Sequence, residues 1–297
     1  MDRMRALEVF LEVADSGSLA AAARSLSISA PSVTRILGEY EEELGVLLFH
    51  RTTRALTLTD DGKNFLNDAR HIIDAYKDAS DALRGAHRSP QGTLRITAST
   101  LFGQHYILPL LMEYMDEYPE VKVDAVFLDR VVSLIDEGFD LAVRIGHLPD
   151  SSMIATRVGS VRRVICGCET YFEKYGMPEK PSDLKDHNII LGMPVSSTLD
   201  WRFSGKTVVR LKPRLRLSSI SAAIAAAKSG WGITRVLSYQ IGPELGDGGL
   251  KTVLSEYEPE PLPIHIIHPE GRSASAKVRA FVDLARDTIR KNPYLNR

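Results

Sequence analysis

The chain has 297 residues, which is long for a single core, so two or three globular units are expected. Its composition, 44% hydrophobic and 25% charged, is that of a folded soluble protein, and no apolar run approaches the roughly 20 residues a membrane-spanning helix needs. A net charge of −1 argues against a protein that coats nucleic acid regardless of sequence, and two cysteines are too few for a disulfide framework or a closed zinc site.

The start, Met1-Asp2-Arg3-Met4, lacks the basic-then-apolar layout of a secretory signal, so a cytoplasmic location and no membrane partner are expected. Three helical stripes follow in quick succession. Leu7, Phe10, Leu11 and Ala14 fall at i, i+3, i+4 and i+7; Leu19, Ala22, Ala23 and Leu26 repeat the pattern; Val33, Ile36, Leu37, Tyr40 and Leu44 extend it. Asp15-Ser16-Gly17-Ser18 closes the first helix, with Ser18 a cap for the second. Ser29 is an N-cap for the third, Pro31 tolerates a missing donor near its start, and Gly45 suits its left-handed end. Only Ser27-Ile28 separates the second helix from the third, about the turn of a helix-turn-helix.

With the apolar stripe of the third helix turned inward, Pro31, Ser32, Thr34 and Arg35 are left near its outward N-terminal end. Such positions face base edges and phosphates in a major groove, where arginine forks onto guanine. The competing reading pairs Arg35 with Glu39 one turn on. Residues 48–58 then read as a short hairpin with arginines at its tip, either a wing that touches phosphates or a solvated loop.

At this point the residues resemble the LysR family of transcriptional regulators. The similarity is carried by Ser18-Leu19-Ala20-Ala21-Ala22-Ala23-Arg24-Ser25-Leu26-Ser27-Ile28-Ser29, by Pro31 and Arg35, and by Glu41-Glu42-Glu43-Leu44-Gly45. Leu48-Phe49-His50-Arg51-Thr52 and Leu58-Thr59 complete it. The resemblance implies a winged helix-turn-helix over 1–59 with a recognition helix at about 30–44. It implies DNA contacts from Ser18, Arg24, Ser27, Ser29, Ala30, Pro31, Ser32, Thr34 and Arg35, and from Arg51, Thr52 and Arg54 of the wing. Gly38 and Glu39 stand where members often carry a basic or amide residue, which implies fewer phosphate contacts and a gentler salt dependence. The acidic run 39–43 is expected to face away from the docking end.

Thr59-Asp60-Asp61 places a cap and two carboxylates at the start of another helix, in a linker over 60–88. Phe65, Ala69, Ile72, Tyr76, Ala79 and Leu83 alternate spacings of four and three, the period of a coiled-coil seam. An intramolecular amphipathic helix competes with that reading, and the family resemblance favours dimerisation, because a dimer holds two recognition helices at neighbouring half-sites. Ser89-Pro90-Gln91-Gly92 reads as a hinge.

Beyond it, strand and helix alternate: strand 94–98, helix from about 103 to 118, strand 121–128, a helical 131–137 and strand 141–145. A second such set starts near 161 and runs through 189–191, 215–217 and an Ala-rich helix at 220–229. Strand 264–268 then returns the chain, before a last helix from about 275 to 291. Cys166 and Cys168 fall in the second set as small apolar core residues, or as redox or metal sensors. Two phrases, Asp136-Glu137-Gly138-Phe139-Asp140-Leu141-Ala142-Val143-Arg144-Ile145-Gly146 and Gly230-Trp231-Gly232-Ile233, are similar to LysR sensor domains. The expected fold is therefore α/β overall. An N-terminal all-α winged helix-turn-helix plus linker helix precedes a two-lobed α/β sensor, like a periplasmic binding protein, over 89–297. Lobe I is expected at about 91–160 and 268–297, lobe II at about 161–267.

In such a fold a ligand lies between the lobes, at strand carboxyl ends and helix N-termini, which suits a small carboxylate-bearing organic effector. Candidate contacts are Ser99, Thr100, Phe102 and Gly103 after the first strand; Arg144, Gly146 and His147 at the end of the third; Ser196 and Ser197 on a loop; and Ser218, Ser219 and Ile220 opening the Ala-rich helix. The serines equally read as helix caps, and Arg144 and His147 as surface residues. No phosphate loop, dinucleotide fingerprint or nucleophile elbow is present, so an enzyme has little support; no cofactor and no metal are expected. Operator DNA, a small effector and further copies of the chain, as dimer or tetramer, are the expected partners, with RNA polymerase an additional candidate. A plain small-molecule-binding protein without regulatory DNA binding is the alternative.

Overall fold

The computed structural model describes residues 2–51, 56–83, 89–149, 153–192, 199–269, 275–292 and 294–296; for 67, 71, 78, 79, 81–83, 243 and 244 it describes the backbone only. The chain divides into two compact units, Met1–Arg88 and Ser89–Arg297.

The first unit begins with α1 (Arg3–Ser16), which Asp2 caps by accepting from the Met4 and Arg5 amides and Gly17 ends at φ 62°. α2 (Leu19–Ser25) and α3 (Ala30–Leu44) are capped by Ser18 and Ser29, whose hydroxyls accept from the Ala21 and Ser32 amides. Each cap satisfies an amide that the first helical turn leaves without an internal partner. Ala6, Val9, Phe10, Val13, Ala22, Val33 and Leu37 are fully buried between the three helices. β1 (Phe49–Arg51) and β2 (Leu56–Leu58) pair antiparallel, and α4 (Asp60–Leu83) follows. Thr59 caps α4 by accepting from the Gly62 amide at 2.9 Å while donating to the Leu47 carbonyl at 2.7 Å. A Cβ at Gly62 would lie 2.2 Å from the Leu48 carbonyl oxygen, so only glycine lets α4 close onto the chain entering the wing.

The dimer seam expected along α4 is partly spent inside the unit. Ala69 is fully buried and Phe65 packs in the same core, with Phe65 5.5 Å from the Phe10 ring, whereas Ile72 and Tyr76 are 44% and 59% exposed. Ile73, 5% exposed, takes the next inward position. A straight helix repeats at 3.6 residues, so spacings of four keep 65, 69 and 73 on the core and rotate 72 and 76 outward. The side chains of Ala79 and Leu83 lie outside the described residues.

The second unit holds two five-stranded sheets. The first consists of β3 (Gly92–Ala98), β4 (Val121–Phe127), β5 (Leu141–Ile145), β6 (Met153–Val161) and a late strand, Leu262–Pro269, in the order β4, β3, β5, Leu262–Pro269, β6. β3 is parallel to β4 and β5, and the late strand is antiparallel to β5 and β6. α5 (Thr100–Phe102) leads through a π-helical turn at Gly103–Ile107 into α6 (Leu108–Glu117). The helical stretch expected from about 103 to 118 is present, and its opening turn is π-helical ahead of Pro109, which has no amide to donate one turn back. The helix expected at 131–137 is a single turn: Phe139 donates back to the Leu134 carbonyl, and Gly138 closes it at φ 70°. The adjoining β-branched Val131 and Val132 favour extended backbone.

The second sheet contains β7 (Arg163–Gly167), β8 (Ile189–Gly192), β11 (Leu215–Leu217), β12 (Ile233–Leu237) and β13 (Lys251–Val253) in the order β11, β8, β12, β7, β13. A separate hairpin, β9 (Asp200–Arg202) with β10 (Val208–Arg210), lies between β8 and β11 in the chain. Helices α7 (Glu169–Tyr175), α8 (Ile220–Lys228) and α9 (Gly242–Gly246) belong to this lobe. Strand β14 (Leu262–Pro269) and helix α10 (Ala276–Lys291) complete the first lobe; Phe281 of α10 packs at 5.5 Å on Tyr114 of α6. The second lobe, expected to run to 267, thus ends before Leu262, because β14 takes its hydrogen bonds from β5 and β6. Cys166 and Cys168 are buried in the core of the second lobe and are not joined by a disulfide.

Each lobe has its own core, with Leu94, Ile96 and Ile107 in the first and Val164, Ile190 and Ala223 in the second. The chain crosses between lobes at Arg162 and again between Leu254 and Leu262. Arg162 joins the two crossings through a 2.9 Å ion pair with Glu258, and its backbone amide donates to the Ser238 hydroxyl at 3.1 Å. No helix among the described residues is long and apolar enough to cross a membrane.

Candidate functional site

Two surfaces gather the residues singled out in the sequence. The first is the N-terminal half of α3. Ser29, Ala30, Pro31, Thr34 and Arg35 are all exposed there, and Ser32 is half-buried with its hydroxyl 2.8 Å from that of Ser29. Thr34 donates to the Ala30 carbonyl at 3.1 Å. Arg35 pairs with Glu39 at 2.7 Å, so Glu39 shares the outward face instead of turning away from it. An exposed i, i+4 pair is worth only about 0.3–0.5 kcal/mol, little to give up for a base or phosphate. Ser18 faces its own helix as a cap, Arg24 is exposed in the last turn of α2, and Ser27 occupies the turn at φ 54°.

Arg51, expected to reach DNA from the wing, is committed elsewhere. Its guanidinium donates to Glu41 at 2.8 Å, and Glu41, 6% exposed, also accepts from the Leu48 and Phe49 amides at 2.9 and 3.1 Å. A buried carboxylate demands such compensation, so Arg51 braces the wing onto α3. Thr52 and Arg54 lie outside the described residues.

The second surface is a cavity of ≈ 590 Å³ between the lobes of the second unit. Of the expected effector contacts, Ser99, Arg144, Gly146, His147 and Ile220 line it. Thr100, Phe102, Gly103, Ser218 and Ser219 do not, and Ser196 and Ser197 lie outside the described residues. Phe102 is fully buried, stacked at 5.2 Å on Tyr106 and edge-on to Tyr239. Gly103 is a packing glycine: a Cβ there would meet the Phe127 ring at 2.4 Å. Ser219 caps α8 by accepting from the Ala222 amide, and Ser218 is exposed beside it. The anion site expected at Ser99-Thr100 is already answered from within, because the Thr100 amide donates to the Asp129 carboxylate at 3.0 Å. A fixed negative charge stands where the sequence suggested a free donor.

The cavity's basic groups were not anticipated. Arg163 of β7 and Arg235 of β12 line it, with the Arg235 guanidinium 4.7 Å above the Trp201 ring. Burial, and next the charge of Arg163, push the Arg235 guanidinium down to about 10; burial alone lowers Arg163. Arg130 is bound to Glu137 through both its terminal nitrogens, and Arg144 donates to the Val132 carbonyl at 3.2 Å. Tyr239 lies between the lobes near Ser99, its hydroxyl 3.4 Å from the serine's and pushed up to about 12 by burial.

Against known proteins, residues 4–63 match the family described as bacterial regulatory helix-turn-helix protein, lysR family, and residues 87–290 match the LysR substrate binding domain. The chain belongs to the LysR family. It is a LysR-type transcriptional regulator with a DNA-binding helix-turn-helix and an effector-binding domain, and not an enzyme. It is 29% identical over 290 residues to the HTH-type transcriptional activator AaeR of Escherichia coli, covering 97% of this chain and 94% of that protein. With the HTH-type transcriptional repressor PA14_22550 of Pseudomonas aeruginosa it shares 28% over 310 residues, covering 99% and 95%. Among solved structures, CrgA of Neisseria meningitidis, a LysR-type transcriptional regulator, has a TM-score of 0.63 at 26% identity, over 97% of this chain and 99% of that one. In this LysR chain the sequence signals pointed to hydroxyls at helix starts; Asp129, Arg163, Trp201 and Arg235 carried no local signal. An arginine on a short alternating strand reads as a surface residue until its neighbour strand is known.

Proposed function

We propose that this regulator binds operator DNA as a homodimer or a pair of dimers, reading bases and phosphates with Ser29, Pro31, Ser32, Thr34 and Arg35, and answers a small carboxylate-bearing effector held between its lobes. What carries the reading is the N-terminal half of α3, which presents short hydroxyls and one arginine outward from a buried helical core. Thr52 and Arg54 of the wing supply further backbone contacts, and RNA polymerase is a partner where the output is activation. Among the described side chains of α4, Ile72 and Tyr76 are the exposed large apolar ones, open to a second copy. Effector binding changes how the lobes close and, through the assembly, the spacing of the two winged units. That coupling requires the effector to bind two assembly states with different affinity.

The test is retention of the regulator's own upstream DNA at low salt. Arg35→Ala is expected to weaken binding by about 1–3 kcal/mol and relax specificity at one position. Failure to retain that DNA, or an Arg35→Ala variant that binds like the wild type, overturns the proposal.

A further inference from the structure

The cavity between the lobes has an uneven distribution of charge. On the first lobe, Asp129 turns its carboxylate to the Thr100 amide, Arg130 is neutralised by Glu137, and Arg144 is held by a backbone carbonyl. On the second lobe, Arg235 pairs directly across the sheet with Ile165, and Leu237 with Arg163. Arg163 and Arg235 are therefore diagonal neighbours on one face, where like charges repel. Neither guanidinium has a hydrogen bond or an acidic partner among the described residues, although Arg235 is half-buried and stacked on Trp201. Two cations held together under partial burial destabilise the protein unless an anion joins them, and a guanidinium fork fixed on an indole is preorganised to take one. Val131, Val132, Leu134, Leu148 and Met153 line the same cavity with apolar surface.

We propose that Arg163 and Arg235, backed by Trp201, form the anion subsite of this cleft, and that the ligand is a small organic acid whose acidic group seats there while its apolar part lies against Val131, Val132 and Leu134. This rests on the reading of the cleft as the effector site. It moves the acid's seat from the helix N-terminus at Thr100, which Asp129 occupies, to the opposite lobe.

The experiment follows thermal unfolding and Trp201 fluorescence in a Trp231→Phe background of the full chain. The probes are inorganic phosphate, benzoate and the aliphatic monocarboxylates from acetate to octanoate, each compared with its amide where one exists and with chloride at equal ionic strength. The acids are expected to raise the melting temperature and alter Trp201 emission, the amides and chloride not. Arg235→Gln and Arg163→Gln are expected each to weaken acid binding about tenfold or more, while raising the melting temperature of the ligand-free protein by relieving the like-charge pair. The subsite is overturned when acids act no better than chloride, when the variants respond to acids as the wild type does, or when both variants melt lower without ligand. Amides that stabilise the protein where acids do not would sink the subsite and spare the cleft. Acids that need Arg235 to bind, but leave operator affinity unchanged at saturation, would spare the subsite and sink the effector reading.

Discussion

Glu41 is the residue on which the DNA-reading unit depends most. Among the described residues of the first unit it is the one buried charged side chain, and it accepts from two backbone amides and one arginine at once. Glu41→Ala leaves the Leu48 and Phe49 amides and Arg51 without that acceptor, and the expected loss is about 3–5 kcal/mol. Denaturant unfolding of the 1–88 signal within the full chain measures it; a loss under about 0.5 kcal/mol would contradict the brace. Glu41→Gln keeps one acceptor oxygen and is expected to fall between the two. Asp129 makes a second residue-scale case. Asp129→Asn retains an oxygen for the Thr100 amide but removes a negative charge from the cavity wall. Anion binding, followed by titration calorimetry with benzoate, is expected to tighten a few-fold rather than weaken.

Among the elements, the first three helices were legible because their punctuation is local: Ser18, Ser29, Gly17 and Gly45 act within one turn of themselves. α4 was harder, since its stripe of apolar residues is shared between two destinations. Ala69 and Ile73 belong to the unit's own core and Tyr76 does not, a division that depends on one residue of phase and is absent from the spacing. Ala69→Glu is therefore expected to unfold the winged unit, with loss of helical circular dichroism. Tyr76→Glu is expected to leave the helix intact and shift the sedimentation profile toward smaller species. A Tyr76→Glu protein that sediments like the wild type would remove α4 from the assembly. The segment 131–137 failed as a helix for the opposite reason, because a few apolar residues before a glycine suffice for one turn and no more.

At the scale of the molecule, the lobes were readable as alternation of strand and helix, but the cavity was not. Arg163 and Arg235 meet only because β7 and β12 run antiparallel, a pairing between strands far apart in the chain that no local pattern encodes. The crossings between lobes carry their own ionisable pair. Burial raises Glu258 above the ordinary carboxylate value of 4.5, outweighing the lowering by Arg162. A carboxyl raised by folding stabilises the protein below its unfolded value, and that stability is lost as pH climbs from 4.5 through the raised value. Glu258→Gln is expected to abolish this decline, read as a flatter plot of unfolding free energy against pH above 4.5. An unchanged slope would mean that another group titrates.

The contact between Gly62 and the Leu48 carbonyl has a mechanical consequence. A joint with no clearance transmits rotation instead of absorbing it, and this one lies where the first turn of α4 meets the chain entering the wing. Together with the Phe10–Phe65 packing, it makes the shaft of α4 and the reading head a single rigid tool. A bulkier residue at position 62 is expected to tilt the head without touching a base.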